Sequence, residues 1–184
     1  MKMKMLFATI LLSGLMFSTG CKKVKSLLDV QFDANYTVDL NMTIPPASGT
    51  TKSIQSAFQG SATINPTSNS EVAKYLNLIK TWHVTNLTGT FKNVTKEAVL
   101  QNGTITFSSD AGTATWNFTN VPIKNGGSFS LDNNNGQWTE LDKILGAKKE
   151  FTVTVSGKTD IDDFSFTMSV KVESTITANP LGSK

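Results

Sequence analysis

From Leu28 to Ile44 apolar side chains occupy every second position (Leu28, Val30, Phe32, Ala34, Tyr36, Val38, Leu40, Met42, Ile44), with Asp, Gln, Asn or Thr between them. A period of two predicts a strand with one buried and one wet face. At ~3.3 Å per residue such a strand would span roughly 55 Å, several times the usual length. It is therefore expected to bend, or to pass between two sheets, near Ala34, where the apolar face is thinnest. Pro45-Pro46 and Ser48-Gly49 end it.

The far end mirrors this pattern. Phe164, Phe166, Met168, Val170, Val172 and Ile176 alternate with polar residues, and Phe151, Val153 and Val155 precede them. Gly157 to Asp163 reads as the hairpin loop between the two. Shorter strands are predicted over 54–64, 82–92, 98–108, 113–119 and 127–131, with Ala111-Gly112 as a turn. Two helices interrupt them. Ser70 can cap one carrying Val72, Tyr75, Leu76 and Ile79 at i, i+3, i+4 and i+7 spacing. Trp138, Leu141, Ile144 and Leu145 form a second short face, closed by Gly146, with Lys148 and Lys149 at its negative end. About eight closely spaced strands predict an all-β, antiparallel, immunoglobulin-like sandwich with two short helices over residues 28–178, followed by a tail over 179–184.

Composition supports strands: Ser and Thr are abundant while Ala, Leu and Glu are sparse. At 184 residues the chain has room for one domain with its own core. The pI near 8.9 suggests nucleic acid, but the charge is local. Lys2, Lys4, Lys22, Lys23 and Lys25 hold the excess, leaving residues 26–184 with 12 lysines against all 14 acidic residues, a net charge of −2. There is no arginine to supply the bidentate phosphate and guanine contacts that nucleic-acid sites lean on. The reading is no nucleic acid.

The lysines frame the N-terminus. Lys2 and Lys4 precede an apolar run from Leu6 to Phe17, too short for the ~20 residues of a spanning helix, and then small residues Ser18, Thr19 and Gly20. That is the layout of a secretory signal peptide. Cys21, the chain's single cysteine, follows at once. An unpaired thiol is unusual in an exported domain, because an oxidising compartment favours pairs or none.

On Gly20-Cys21, residues 1–21 resemble the bacterial lipoprotein signal peptide, in a relaxed version familiar in the Bacteroidota. Three positions before the cysteine Ser18 stands where Leu is usual. The resemblance implies cleavage after residue 20 and diacylglycerol, with acyl chains such as palmitate, on Cys21. It also implies a short basic tether over 21–27. A single acyl chain binds membranes only marginally at ~0.8 kcal/mol per CH₂, so the two or three chains of this class give a durable anchor. Lys22, Lys23 and Lys25 would then lie against lipid headgroups, each worth ~1 kcal/mol on an anionic surface. Basic rather than acidic residues after the cysteine point to the outer membrane facing the periplasm, with surface exposure as the alternative.

Candidate chemistry in the mature chain is sparse. Asp160, Asp162 and Asp163 share one loop and are the candidates for a Ca²⁺ site, although the ligand spacing of a calcium loop is missing and a solvated turn accounts for them. Asp132 to Gly136 is read as a turn into the second helix. Gly157-Lys158-Thr159 lacks the earlier glycine of a phosphate loop, and six Asn-x-Ser/Thr matches follow from polar strand faces. His83 is the one histidine, so no His cluster can bind zinc and any catalytic triad must use it; its phase points it outward. Trp82 and Trp116 read as core. Trp138, after a polar loop, is the candidate to stack on a sugar or partner, although its spacing to Leu141 favours packing.

These features lead to a lipid-anchored, non-catalytic envelope module that binds a protein or polysaccharide, with no cofactor. The alternatives are a surface glycan- or ligand-binding lipoprotein that uses Trp138, and a small hydrolase built on His83.

Overall fold

The computed structural model describes residues 29–46 and 56–181. Eight strands run in chain order: β1 (Val30–Ile44), β2 (Ser56–Ile64), β3 (Ile79–Lys92), β4 (Ala98–Ser109), β5 (Gly112–Ile123), β6 (Ser128–Ser130), β7 (Phe151–Thr159) and β8 (Phe164–Ala178). Helix α1 (Ser70–Tyr75) lies between β2 and β3, and α2 (Gln137–Gly146) between β6 and β7. The strands form two antiparallel sheets, ordered β1-β8-β3-β6 and β2-β7-β4-β5.

The pairing is nested: β1 with β8, β2 with β7, β3 with β6, and β4 with β5. The chain is in effect one long hairpin, turning at Asp110-Ala111, rolled up until β8 also meets β3 and β7 also meets β4. This is the strand order of a double Greek-key jelly roll. An immunoglobulin sandwich shares the two-layer antiparallel architecture, and strand order distinguishes the two.

The expected crossing of the first strand does not occur. β1 stays in one sheet, in unbroken register with β8 from Val30↔Ala178 to Ile44↔Phe164, because β8 is equally long and pairs with every residue of it. Four further details differ from the sequence reading. Asn69, not Ser70, caps α1, its side chain accepting from the amides of Glu71 and Val72, and Ile79 already begins β3. β7 continues through Thr159, so the hairpin loop shrinks to Asp160–Asp163. Lys148, not Gly146, takes the left-handed backbone after α2, at φ 60°.

The core forms where the inner faces meet: Tyr36, Leu40, Phe91, Phe166, Met168 and Val170 from one sheet; Ile105, Phe107, Trp116, Val153 and Val155 from the other. Phe91 and Phe58 both meet the Phe166 ring edge-on, at centroid distances of 5.7 and 5.4 Å. Ser174 is a polar residue inside this core. It accepts from Trp82 Nε1 at 2.9 Å and donates to the Ala34 carbonyl at 2.6 Å, so neither buried polar group is orphaned. Tyr36 donates its hydroxyl to the Pro66 carbonyl at 2.9 Å, and burial pushes its pKa up.

Aromatic rings lie over glycines on neighbouring strands. Phe129 covers Gly89, Phe118 covers Gly103, and the Phe58 ring reaches Gly157. A Cβ at Gly157 would lie 2.7 Å from the Asn102 carbonyl oxygen, a backbone atom that cannot swing away. At Gly146 a Cβ meets nothing within 4 Å. Gly157→Ala should therefore destabilise by about 1–3 kcal/mol, while Gly146→Ala is neutral or stabilises by up to about 1 kcal/mol. Urea denaturation of both variants checks the contrast, and equal stabilities would contradict it.

Candidate functional site

The register defines two ends of the sandwich. Val30, Ile79 and Ala178 lie together at one, with α1, α2 and the Asp110-Ala111 turn. The other end gathers the end of β1, the start of β2, Asn93–Glu97, Lys124–Gly127 and Asp160–Asp163. At ~3.3 Å per residue the 15-residue β1 separates the ends by roughly 45–50 Å.

The far end is interlocked. Asn125 accepts from the Val94 amide at 2.8 Å and donates to the Val94 carbonyl at 3.1 Å. Thr95 Oγ1 accepts from the Ser165 amide at 2.9 Å. Asp163, at φ 53°, pairs with Lys96 at 2.9 Å and donates its amide to the Pro45 carbonyl at 3.4 Å. The carboxylates weighed as calcium candidates against a solvated turn serve different partners: Asp160 accepts the Val99 amide at 2.7 Å, and Asp163 holds Lys96. Asp162 has an interaction of its own. Among the described residues no group of three or more His, Cys, Asp or Glu side chains is arranged to hold a metal ion.

At the near end, α2 packs along the edge of β3 that β6 leaves uncovered. Asp142 Oδ1 accepts the Val84 amide at 2.7 Å, Lys148 donates to the Ile79 carbonyl at 3.2 Å, and the Leu131 amide donates to the Leu87 carbonyl at 3.0 Å. The helix thereby blunts a strand edge that could otherwise pair with another chain. His83 faces out, with its side chain 71% exposed and Nδ1 3.3 Å from Asp142 Oδ2. Trp138 is half-buried against the core and donates Nε1 to the Leu131 carbonyl at 2.9 Å. Trp82 and Trp116 are buried. Cys21, Lys22, Lys23 and Lys25 lie outside the described residues. Among those described, no helix is long and apolar enough to cross a membrane.

The two outer faces differ in charge. On the β1-β8-β3-β6 sheet, Asp33, Asp39, Lys92, Lys171 and Glu173 stand among Thr, Ser and Asn; Lys92 pairs with Asp39 across the sheet at 3.6 Å, and Lys171 pairs with Glu173 along β8. Hydrogen bonds from Lys171 and Asn86 hold the Glu173 carboxyl below its usual pKa.

The outer face of the other sheet is an array of hydroxyls and amides. Its rows, read from β2 across β7 and β4 to β5, begin with Thr63-Thr152-Ser108-Thr113 and Ser61-Thr154-Thr106-Thr115. Gln59-Ser156-Thr104-Asn117 and Ala57-Lys158-Asn102-Thr119 follow. Lys158 is the one charged residue in these rows. Two grooves adjoin this face. One of about 460 Å³ lies at its end, lined by Thr63, Ser108, Asp110, Lys149 and Thr152. The other, about 500 Å³, follows the β5 edge between Thr113, Thr115 and Asn117 and the Asn134, Gln137 and Glu140 side chains. A third, of about 380 Å³, lies between β1 and β2 beside Tyr36 and Asn65. His83 lines none of these three. Sequence reasoning missed the hydroxyl array because its members come from four separate strands and only the register brings them together.

No family model matches the chain, and no curated protein is similar enough to count as a match. Among solved structures, the decameric BFDV capsid protein is 8% identical, with a TM-score of 0.40, over 80% of this chain and 99% of that one. A Desmodium yellow mottle tymovirus chain is 12% identical, with a TM-score of 0.32, over 84% of this chain and 86% of that one. With similarity this low, the fold assignment rests on the strand order alone.

Asp142→Ala should cost about 1–2 kcal/mol by orphaning the Val84 amide, and Asp142→Asn much less, because an amide oxygen still accepts. His83→Ala should stay within about 0.5 kcal/mol, as expected of an exposed pair. Thermal melts of the three variants rank them, and a His83→Ala loss as large as that of Asp142→Ala would contradict the edge-capping role.

Proposed function

We propose that the chain is a lipid-anchored, non-catalytic binding module of a bacterial cell envelope, acylated at Cys21 and held at the outer membrane facing the periplasm. The observation that carries this reading is the position of Cys21 in the sequence. It directly follows an apolar, small-residue-terminated leader and precedes Lys22, Lys23 and Lys25. Residues 22–28 can span at most about 25 Å. The anchor would therefore keep the end carrying Asp29, α1 and α2 near the bilayer, with the interlocked loops at the other end roughly 45–50 Å farther along the strands. Lipidation also accounts for a lone thiol in an exported chain.

Binding is favoured over catalysis because the most extensive polar features are flat strand faces and open grooves. The one histidine stands exposed and outside the grooves described. Surface display is the second reading, and the array of hydroxyls and amides on the β2-β7-β4-β5 sheet, with Lys158 as its one charge, favours it.

Metabolic labelling with an alkyne palmitate, followed by fractionation, tests the anchor. Wild type should be labelled and membrane-bound, and Cys21→Ser unlabelled and released. Membrane attachment that survives Cys21→Ser would overturn the proposal. Protease shaving of intact cells assigns the face: protection supports the periplasmic address, cleavage the surface one.

A further inference from the structure

We infer that the outer face of the β2-β7-β4-β5 sheet, together with the groove along its β5 edge, binds a neutral polysaccharide. This deepens the binding-module reading and rests on it. Threonine is common on strand faces because it fits the pleat, so hydroxyls alone carry little. The contrast between the two sheets carries more. Both outer faces share that propensity, yet the β1-β8-β3-β6 face takes Asp33, Asp39, Lys92, Lys171 and Glu173, whereas the opposite rows hold Lys158 alone. An ordinary soluble face of this extent intersperses charges of both signs.

The scarcity of charge sets the partner's chemistry. A charged polymer finds no counter-ion on the central rows, so its own desolvation would go uncompensated. A neutral polyol meets groups that each donate and accept, as its own hydroxyls do. Strand geometry repeats these groups about every 4.8 Å across the sheet and about 6.7 Å along each strand, a lattice suited to a repeating chain rather than to one small molecule.

The adjoining groove supplies directional contacts. Asn117 Oδ1 accepts from the Thr104 hydroxyl at 3.0 Å, and Gln137 Oε1 accepts from the Asn135 amide at 2.7 Å. Each amide thus leaves its NH₂ without a partner among the described residues. Glu140 stands in the same groove, with Oε1 on Lys143 at 2.6 Å and Oε2 as a further acceptor. Two donors beside an acceptor match the alternating hydroxyl chemistry of a sugar. Trp116 is among the lining residues but is only 5% exposed, so recognition proceeds through hydrogen bonds and not ring stacking.

Native affinity electrophoresis of the detergent-solubilised full chain tests this. The gels carry dextran, starch, mannan, xyloglucan or a β-1,3-glucan, with heparin and polygalacturonate as anionic probes. At least one neutral polysaccharide should retard the protein and the anionic ones should not. Thr106→Glu, which puts a charge in the middle of the array, should weaken retardation at least tenfold, and Asn117→Ala severalfold. Lys171→Ala, on the opposite sheet, should leave it unchanged. Circular dichroism melts of each variant separate lost binding from lost folding. No retardation by any neutral probe, retardation by the anionic probes alone, or wild-type retardation in both folded face variants would overturn the inference. Palmitate labelling of the same preparations keeps the two proposals apart: a labelled protein that no neutral polymer retards loses the ligand class and keeps the anchor.

Discussion

The structure depends on the final strand. β8 hydrogen-bonds to β1 along one edge and to β3 along the other, and ten of its 15 residues are buried. Without it, β1 has no neighbour in its sheet and β3 keeps only the three-residue β6. Its inward side chains, from Phe166 to Ile176, form the floor against which the other sheet packs. Even its polar interior member, Ser174, ties three strands together by joining Trp82 on β3 to the Ala34 carbonyl on β1. Because β1 and β8 come from opposite ends of the described chain, their sheet closes only when distant segments meet, which makes folding slow relative to a local topology.

Much of this was legible in the sequence, for a physical reason. The side-chain period of a half-buried strand is two, so alternation marked the long strands at the two ends of the domain and shorter apolar runs marked those between; pairing with neighbours then extended some, as at Thr159 and Ile123, and cut β6 to three residues. Strand order was not legible, because alternation fixes which face a residue takes and not which strand lies beside it. Ser174 escaped notice because a serine at an apolar-phase position gives no sign that a tryptophan N–H and a carbonyl will satisfy it. The role of Asp142 was hidden likewise: a carboxylate on a helix looks solvated until the helix is seen against a bare strand edge. Of the candidate site residues, Asp160 and Asp163 proved to be loop fasteners. Trp138 is half-buried with its indole N–H occupied.

The same alternation that builds the core also creates two outer faces, and these diverge. One is laced with ion pairs, the other almost free of charge. In the proposed arrangement the anchor holds the helical end near the membrane, and both faces extend away from it along the strands. The nearly uncharged face would then offer a length of sheet, with the groove along its β5 edge, to whatever polymer surrounds it. On the binding-module proposal, that geometry would serve retention of a partner rather than turnover of a substrate, which needs enclosure and converging groups.

Residue-resolved amide hydrogen exchange tests most directly whether β8 holds the sandwich together. Amides from Phe166 to Ile176 should exchange only through global unfolding, with the free energy obtained by denaturant melting, while β6 and the Lys124–Gly127 turn open at much lower cost. If β8 amides exchange as readily as those of β6, the central strand is not what closes the fold, and this account of its stability is wrong.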